Sequence, residues 1–181
     1  MAAAVEPRTG SAFVEALQAD HPYPEHADKL MLFGRLVGSW DIVGRFFDEG
    51  GNVIREATGE WHFGWVLEGR AIQDVLITPP REGREPGQLS RSYDTAIRVY
   101  DPRIDGWRVT AVFPVYGATV NLIARAHGDE IWLEGRSPEN NLFRWTFSDF
   151  SDERVHWQGF VSKDEGLTWV RDEEIILNRR T

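Results

Sequence analysis

Apolar and polar residues alternate in twos from Trp40 almost to the end of the chain. This period is typical of strands that bury one face and expose the other. About ten short segments follow it, separated by residues suited to turns, and this spacing indicates an antiparallel sandwich or barrel. The predicted strands are Trp40–Asp48, Ile54–Trp65, Arg70–Thr78, Asp94–Tyr100, Trp107–Phe113, Ala118–His127, Glu130–Glu134, Phe143–Phe150, Val155–Ser162 and Trp169–Leu177. No long helical pattern lies between them, so parallel strand–helix–strand units are not expected.

The chain before these strands predicts a short helical lead over residues 11–37. A first short helix is followed by a second over residues 25–36, where apolar residues recur at a spacing of three and four. Pro22 and Pro24 separate the two helices, because a proline disfavours helix in the residue before it. Residues 1–10 show no periodicity and are predicted to be a mobile N-terminus.

One barrel domain is predicted over residues 38–181, and it contains one long connection. Residues 79–92 hold three Pro, two Gly and three Arg, a composition typical of a polar, mobile loop. Such a loop is either a lid over a binding site or a tolerated insertion.

Composition and charge narrow the classes of function. The sequence contains no Cys, which excludes disulfides, thiolate metal sites and a cysteine nucleophile. The formal net charge of −9 argues against nucleic-acid binding, which needs a basic surface. The N-terminus lacks the features of a secretory signal, and no apolar stretch approaches the ~20 residues of a membrane helix. We therefore expect a soluble, cytoplasmic protein with neither nucleic-acid nor membrane partners.

Aromatic and aliphatic side chains form rows along the predicted strands. Residues two apart share a face of a strand, so each row is expected to face a common interior. The rows are Trp61, Phe63 and Trp65; Phe143, Trp145 and Phe147; Val155, Trp157 and Val161; and Trp107, Val109 and Phe113. Such an interior is either a solid core or an apolar cavity with a few polar anchors. For a cavity, the predicted apolar walls are Trp61, Phe63, Trp65, Trp145 and Trp157.

Polar residues inside strands are the candidates for anchoring a ligand. Gln73, Arg98 and Asn121 are the predicted anchors, and Tyr116 is expected to reach the mouth of the cavity. Because Gln73 and Asp74 are adjacent, only one of the two faces inward. A buried Arg98 needs a partner, and a ligand carboxylate is one of several that would serve.

Catalytic chemistry has no sequence motif here, since nucleophile-elbow, dinucleotide-binding and zinc-protease patterns are all absent. The ionisable candidates for a catalytic role beside a cavity are His62, His156, Asp74 and Tyr116. Both histidines fall opposite in parity to the neighbouring Trp residues and are predicted to face outward. Adjacent carboxylates in residues 172–174 are expected to point to opposite faces of their strand. We therefore predict no metal ligands and assign no catalytic residue.

The segment Ser162–Trp169 carries the S-x-D-x-G-x-T-W pattern of the Asp-box. In this pattern Ser and Asp side chains bond turn amides, Gly takes a left-handed conformation and Trp covers the turn. A single copy without a longer repeat predicts a structural hairpin rather than a propeller.

Arg35-Leu36-Val37-Gly38-Ser39-Trp40 resembles the G-x-W entry of the calycin barrels, which include lipocalins, fatty-acid-binding proteins and nitrobindins. With Trp65–Arg70, Tyr100–Trp107 and the terminal hairpin, the chain looks like the bacterial DUF1579 family of that group. The resemblance implies an all-β, up-and-down antiparallel barrel of about eight to ten strands with short N-terminal helices. It also implies that Arg179 or Arg180 closes one end through a cation–π contact with the first-strand Trp.

The leading functional hypothesis is an intracellular barrel that binds a small apolar or aromatic molecule in a Trp-lined cavity. One alternative is a small-metabolite enzyme, such as an isomerase, cyclase or hydrolase, that uses the same cavity. Another is an interaction domain that buries outward aromatic residues in a homodimer. The resemblance to nitrobindins adds haem binding as a further alternative. Two features count against it: Asp41-Ile42-Val43 replaces the glycine-rich run after Trp40, and His156, the only late-strand histidine, is predicted to face outward. No cofactor is therefore predicted.

Overall fold

The alternating segments form a closed barrel. The computed structural model of the protein describes residues 10–85, 87–137 and 139–180. The elements are α1 Gly10–Leu17, β1 Gln18–Ala19, α2 Ala27–Gly34, β2 Gly38–Phe47, β3 Val53–Val66, β4 Ala71–Thr78, β5 Ser92–Asp101, β6 Gly106–Phe113, β7 Ala118–His127, β8 Glu130–Arg136, β9 Leu142–Ser148, β10 Arg154–Ser162 and β11 Val170–Arg179. Strands β2 to β11 pair antiparallel in chain order, and β11 pairs with β2 to close the barrel. The predicted strands and the up-and-down barrel are confirmed.

The helical lead contains the two predicted helices with altered limits. α2 is shorter than the predicted span of residues 25–36, because His26 takes a left-handed conformation (φ 67°) just before it and the chain turns after Gly34. The two-residue strand β1, absent from the predicted pattern, pairs with the end of β3. The predicted mobile segment, residues 1–10, lies outside the described residues except for Gly10. Among the described residues, no helix is long and apolar enough to cross a membrane.

Helix α2 plugs one end of the barrel. Phe33 is fully buried, and its ring centroid lies 5.0 Å from that of Trp107 and 6.3 Å from that of Phe147. Leu30 and Leu36 are buried beside it. Burial of each such side chain stabilises the fold by about 1.5 to 3 kcal/mol. The interior is therefore solid at this end.

The first-strand Trp and the last-strand Arg close the same end. The guanidinium carbon of Arg179 lies 4.0 Å from the centroid of the Trp40 ring. The same guanidinium donates hydrogen bonds to the backbone carbonyls of Val37 (3.1 Å) and Arg35 (3.3 Å). The predicted cation–π closure is confirmed, with Arg179 rather than Arg180 as the partner.

The Asp-box forms the hairpin between β10 and β11, as predicted. Asp164 Oδ1 accepts a hydrogen bond from the Thr168 amide, and Ser162 Oγ accepts one from the Gly166 amide, both at 2.8 Å. Gly166 has a φ of 89°, in the left-handed region that favours glycine. Trp169 Nε1 donates to the Gly166 carbonyl at 3.2 Å and covers the turn.

The long connection between β4 and β5 lies at the end of the barrel opposite α2. Arg81 within it donates to Glu60 Oε1 on the outer face of β3 at 2.6 Å. Near its other limit, the Arg91 carbonyl accepts a hydrogen bond from the Tyr116 hydroxyl at 3.3 Å. The segment therefore contacts the barrel at both of its ends, and its predicted mobility and lid role stay predictions.

Candidate ligand-binding cavity

The barrel contains a cavity of about 200 Å³ between the α2 plug and the opposite, open end. Inward-facing residues of several strands line it, because alternation along each strand brings every second side chain to the interior. Its aromatic lining residues are Phe46, Trp61, Phe113, Trp145, Phe147 and Trp157. Its ionisable lining residues are Arg55, Asp74, Asp94, Arg98, Tyr116 and Glu173.

Three tryptophans form one wall of the cavity. The ring centroid of Trp157 lies 6.3 Å from that of Trp61 and 5.8 Å from that of Trp145, in edge-on and tilted arrangements respectively. Phe147 packs against Trp61 at 5.8 Å. Such contacts add about 0.5 to 1.5 kcal/mol per pair beyond burial of the rings. The predicted inward rows therefore meet in a buried aromatic cluster.

A buried ion pair forms the floor of the cavity. Arg98 Nη2 lies 2.6 Å from Asp74 Oδ2, and both side chains are 3% exposed. Asp74 Oδ1 also accepts a hydrogen bond from the Ala96 amide at 2.8 Å. The guanidinium carbon of Arg98 lies 5.2 Å from the centroid of the Phe33 ring. The partner that a buried Arg98 requires is thus supplied by Asp74 within the chain.

Asp94 is a buried carboxylate on the same face of β5 and is absent from the predicted site. It is 7% exposed, and its Oδ1 has no hydrogen-bond partner within the described part of the chain. Burial raises the pKa of this carboxyl, the Ser92 hydroxyl partly offsets the rise, and Asp74 adds to it. Trp61 Nε1 likewise has no partner among the described residues. A buried polar atom without a partner costs about 1 to 3 kcal/mol, so both atoms are candidates for ligand contact.

A β-bulge brings two adjacent carboxylates to the same side of β11, with Asp172 exposed and Glu173 half-buried. The pairing of β10 with β11 shifts between Gly159 and Phe160 and leaves Asp172 as the extra residue. A Cβ placed on Gly159 would lie 3.0 Å from Asp172 Oδ1 and 3.2 Å from the inward Trp157 ring, so the Asp172 carboxylate occupies the inward side of Gly159. Glu173 lines the cavity. The expectation that neighbours in residues 172–174 alternate is wrong here, because the bulge interrupts the alternation.

Glu173 lies near the open end and titrates close to neutrality. Burial is the main cause that raises its pKa from 4.5 to about 7. The Asp172 and Asp94 carboxylates raise the pKa further, and the Arg55 guanidinium lowers it. The cavity therefore changes its charge within the physiological pH range.

Five of the predicted ligand-binding residues line the cavity. They are Trp61, Arg98, Tyr116, Trp145 and Trp157. Tyr116 is 67% exposed and lies at the mouth, as expected from its place near a strand entry.

The other four predicted residues lie outside the cavity. Phe63 is buried closer to the plug, and Trp65 is buried against Gly34 of α2. Gln73 occupies the outward position beside the inward Asp74, and Asn121 is exposed on the outer face of β7. Strand parity explains the positions of Gln73 and Asn121, because a side chain on one face of a strand cannot reach the other.

The histidines face away from the cavity. His62 Nε2 lies 3.0 Å from Glu60 Oε2, and His156 Nε2 lies 3.4 Å from Glu174 Oε2, both on the outer surface as predicted. All five histidines are among the described residues and none lines the cavity, so haem held by an axial histidine does not fit. No group of three or more His, Asp or Glu side chains within the described residues is placed to hold a metal ion.

Comparison with known proteins identifies the fold and no family. No protein-family model matches the chain, and no curated protein matches it, so the DUF1579 resemblance stays a prediction. Among solved structures, the chain is similar to the S-type phycobiliprotein lyase CPES from Guillardia theta, with a TM-score of 0.55 and 10% sequence identity. The match covers 88% of this chain and 99% of the lyase.

Two designed proteins give weaker matches. One is a redesigned β-barrel, mFAP0, bound to DFHBI, with a TM-score of 0.41 and 14% identity over 80% of this chain and 99% of that one. The other is a de novo designed fluorescence-activating β-barrel, with a TM-score of 0.27 and 14% identity over 80% of this chain and 93% of that one. The likeness to the lyase supports the closed antiparallel β-barrel fold.

Proposed function

We propose that this protein binds one small molecule inside its barrel. The observation that carries the proposal is the cavity of about 200 Å³, which is walled by Trp61, Trp145 and Trp157. An apolar cavity of about 150 Å³ suffices to hold benzene, so this volume suits a ligand built on a single ring. Apolar and aromatic walls with a few polar groups are typical of small-molecule sites.

Unpartnered polar atoms support a ligand over an empty interior. Within the described residues, Trp61 Nε1 lacks an acceptor and Asp94 Oδ1 lacks a donor. The native fold bears the cost of leaving both unpaired. A ligand that supplies a donor and an acceptor would recover that free energy.

Native mass spectrometry can test this proposal without prior choice of a ligand. The wild-type protein is incubated with a small-molecule extract of its host cells and compared with an Ala111→Phe variant. Ala111 is buried and lines the cavity, so a Phe ring there would fill the space. Ala126→Phe, at an exposed position on β7, is the matched control. We expect a discrete mass increment in the wild type and in Ala126→Phe, and none in Ala111→Phe.

Two results would count against ligand binding in the cavity. One is a wild-type spectrum that shows the bare chain alone. The other is a mass increment that persists in Ala111→Phe, which would place the ligand elsewhere.

Catalysis in the same cavity is the second candidate function, favoured by Glu173. A carboxyl group whose pKa is raised to about 7 can both accept and donate a proton near neutral pH. Of the four predicted catalytic candidates, Asp74 and Tyr116 line the cavity while His62 and His156 do not. The similar lyase indicates that this fold also serves an enzyme. Consumption of a metabolite from the extract by wild type, but not by Glu173→Gln, would support this alternative.

A further inference from the structure

The ionisable groups that line the cavity leave an excess of carboxylates. Asp74 and Arg98 offset each other in their ion pair at 2.6 Å. Arg55 is exposed at the rim, and its guanidinium carbon lies 3.3 Å from the centroid of the Phe46 ring. Among the described residues, neither Asp94 nor Glu173 forms an ion pair. The interior beyond the floor is therefore electronegative.

The faces of the surrounding aromatic rings also favour a positively charged ligand. The face of an indole ring carries negative potential and attracts a cation within about 6 Å of its centroid. Trp61, Trp145 and Trp157 surround the space into which Asp94 and Glu173 project. An anionic ligand would be repelled by both the carboxylates and the ring faces, whereas a cationic ligand would gain from each.

We propose that the ligand is a small organic cation, a protonated primary or secondary amine carried on a single aromatic ring. This ligand class rests on the proposed binding function. The ammonium group would donate to Asp94 and Glu173, and the Trp rings would enclose the apolar body. An ammonium that carries N–H groups is required, because the unpartnered Asp94 Oδ1 accepts hydrogen bonds and a quaternary ammonium has none to donate.

Binding of such a cation depends on the charge of Glu173. The charged groups that act on it are Asp172 beside it on β11, Asp94 on β5 and Arg55 on β3. Its paired neighbours across the strands, Gly159 and Phe46, carry no charge. Because the pKa of Glu173 is raised to about 7, its carboxyl is largely neutral near pH 6 and largely charged near pH 8. Affinity for the cation is therefore expected to rise over this interval.

Isothermal titration calorimetry with three compounds of matched shape tests the ligand class. The compounds are phenethylammonium chloride, neutral 2-phenylethanol and anionic 3-phenylpropionate. Near pH 8 we expect phenethylammonium to bind the wild type about tenfold or more tightly than 2-phenylethanol, with 3-phenylpropionate weakest. Asp94→Asn and Glu173→Gln should each reduce this preference by about threefold or more. Glu56→Gln, on the outer face of β3, removes an equal charge and should leave the preference unchanged.

The outcomes separate the two proposals. If 2-phenylethanol or 3-phenylpropionate binds as tightly as the amine and Ala111→Phe abolishes that binding, the ligand class is wrong and the binding function stands. If both carboxylate variants keep the preference of the wild type, the ligand class is also wrong. If none of the three compounds binds, the ligand class is wrong, and the mass spectra of wild type and Ala111→Phe with the cell extract decide the binding function. Thermal unfolding of each variant verifies that it is folded, and Glu173→Gln alone decides the question if Asp94→Asn does not fold.

Discussion

The buried carboxyl groups of the cavity differ in what neutralises them. Asp74 has Arg98 and a backbone amide as partners, so its negative charge belongs to the permanent structure. Among the residues that the structure describes, one Asp94 oxygen lacks a partner, and Arg55 is the positive charge that offsets the burial of Glu173. A buried carboxylate that no group of the fold neutralises is available to pair with a ligand.

Glu173 should make stability depend on pH. Its pKa lies at about 7 in the folded protein, above the ordinary value of 4.5, so the folded state holds the proton more tightly than the unfolded state. The resulting stabilisation is complete below about pH 4.5 and is lost as pH rises through about 7. We expect Glu173→Gln to gain about 1 to 2 kcal/mol of unfolding free energy relative to wild type between about pH 5 and about pH 8.

Urea denaturation of wild type and variant at the two pH values measures this difference. Glu56→Gln, an exposed acid on the outer face, is the control and should show little change. A difference between wild type and Glu173→Gln that stays constant with pH would contradict the assignment.

The bulge in β11 is the feature that concentrates carboxylates at the open end. It places Asp172 beside Glu173 opposite Gly159, where a regular strand would have sent one of the two side chains outward. Repulsion between like charges favours the protonated form of Glu173. Asp172→Asn is therefore expected to lower the pKa of Glu173 while leaving the barrel folded.

Carbon-13 NMR of the Glu side-chain carboxyls follows that titration directly. Asp152→Asn, at an exposed turn position, serves as a control for the loss of one surface charge. An unchanged or higher pKa of Glu173 in Asp172→Asn would show that the two carboxylates do not interact.

The closed end depends on three residues at the limits of two paired strands. Gly38 has a φ of 133°, and a Cβ on it would lie 2.6 Å from Arg179 Nη1. The glycine of the G-x-W entry therefore leaves room for the guanidinium that stacks on Trp40. We expect Arg179→Lys to lower the unfolding free energy by about 1 to 3 kcal/mol, because Lys cannot stack and donate to two carbonyls together.

Thermal and urea unfolding check this expectation. Arg154→Lys, an exposed replacement of the same kind at the start of β10, should be close to neutral. Equal stability of Arg179→Lys and wild type would show that the contact does not contribute to closure.

Alternation predicted all the barrel strands because each has one buried and one solvated face, and it placed Trp61, Trp145 and Trp157 correctly. Alternation failed at the bulge in β11, where the direction of a side chain does not follow from its odd or even position in the strand. The bulge could not be read from β11 alone; the only signal was Gly159 in the partner strand, since glycine inside a strand marks a bulge or a close approach. Alternation could have identified Asp94 as an inward residue, because it lies four residues before Arg98 and therefore on the same face of β5.

The molecule as a whole has one sealed end and one open end. α2, Trp40 and Arg179 fill the sealed end, and the cavity with its carboxylates lies toward the other. Outside the barrel, Trp132 and Trp169 are held on either side of the Arg144 guanidinium, 4.0 and 4.1 Å from their ring centroids. This outer cluster does not line the cavity, so it provides an internal control for binding inside the barrel.

The most direct test is a nitrogen-15 NMR titration of the tryptophan indole N–H groups with phenethylammonium. All eight tryptophans lie in the described residues. We predict saturable shifts of the Trp61, Trp145 and Trp157 signals, with Trp132 and Trp169 unchanged. Shifts confined to the two outer tryptophans, or no saturable shift at all, would contradict a ligand site within the barrel.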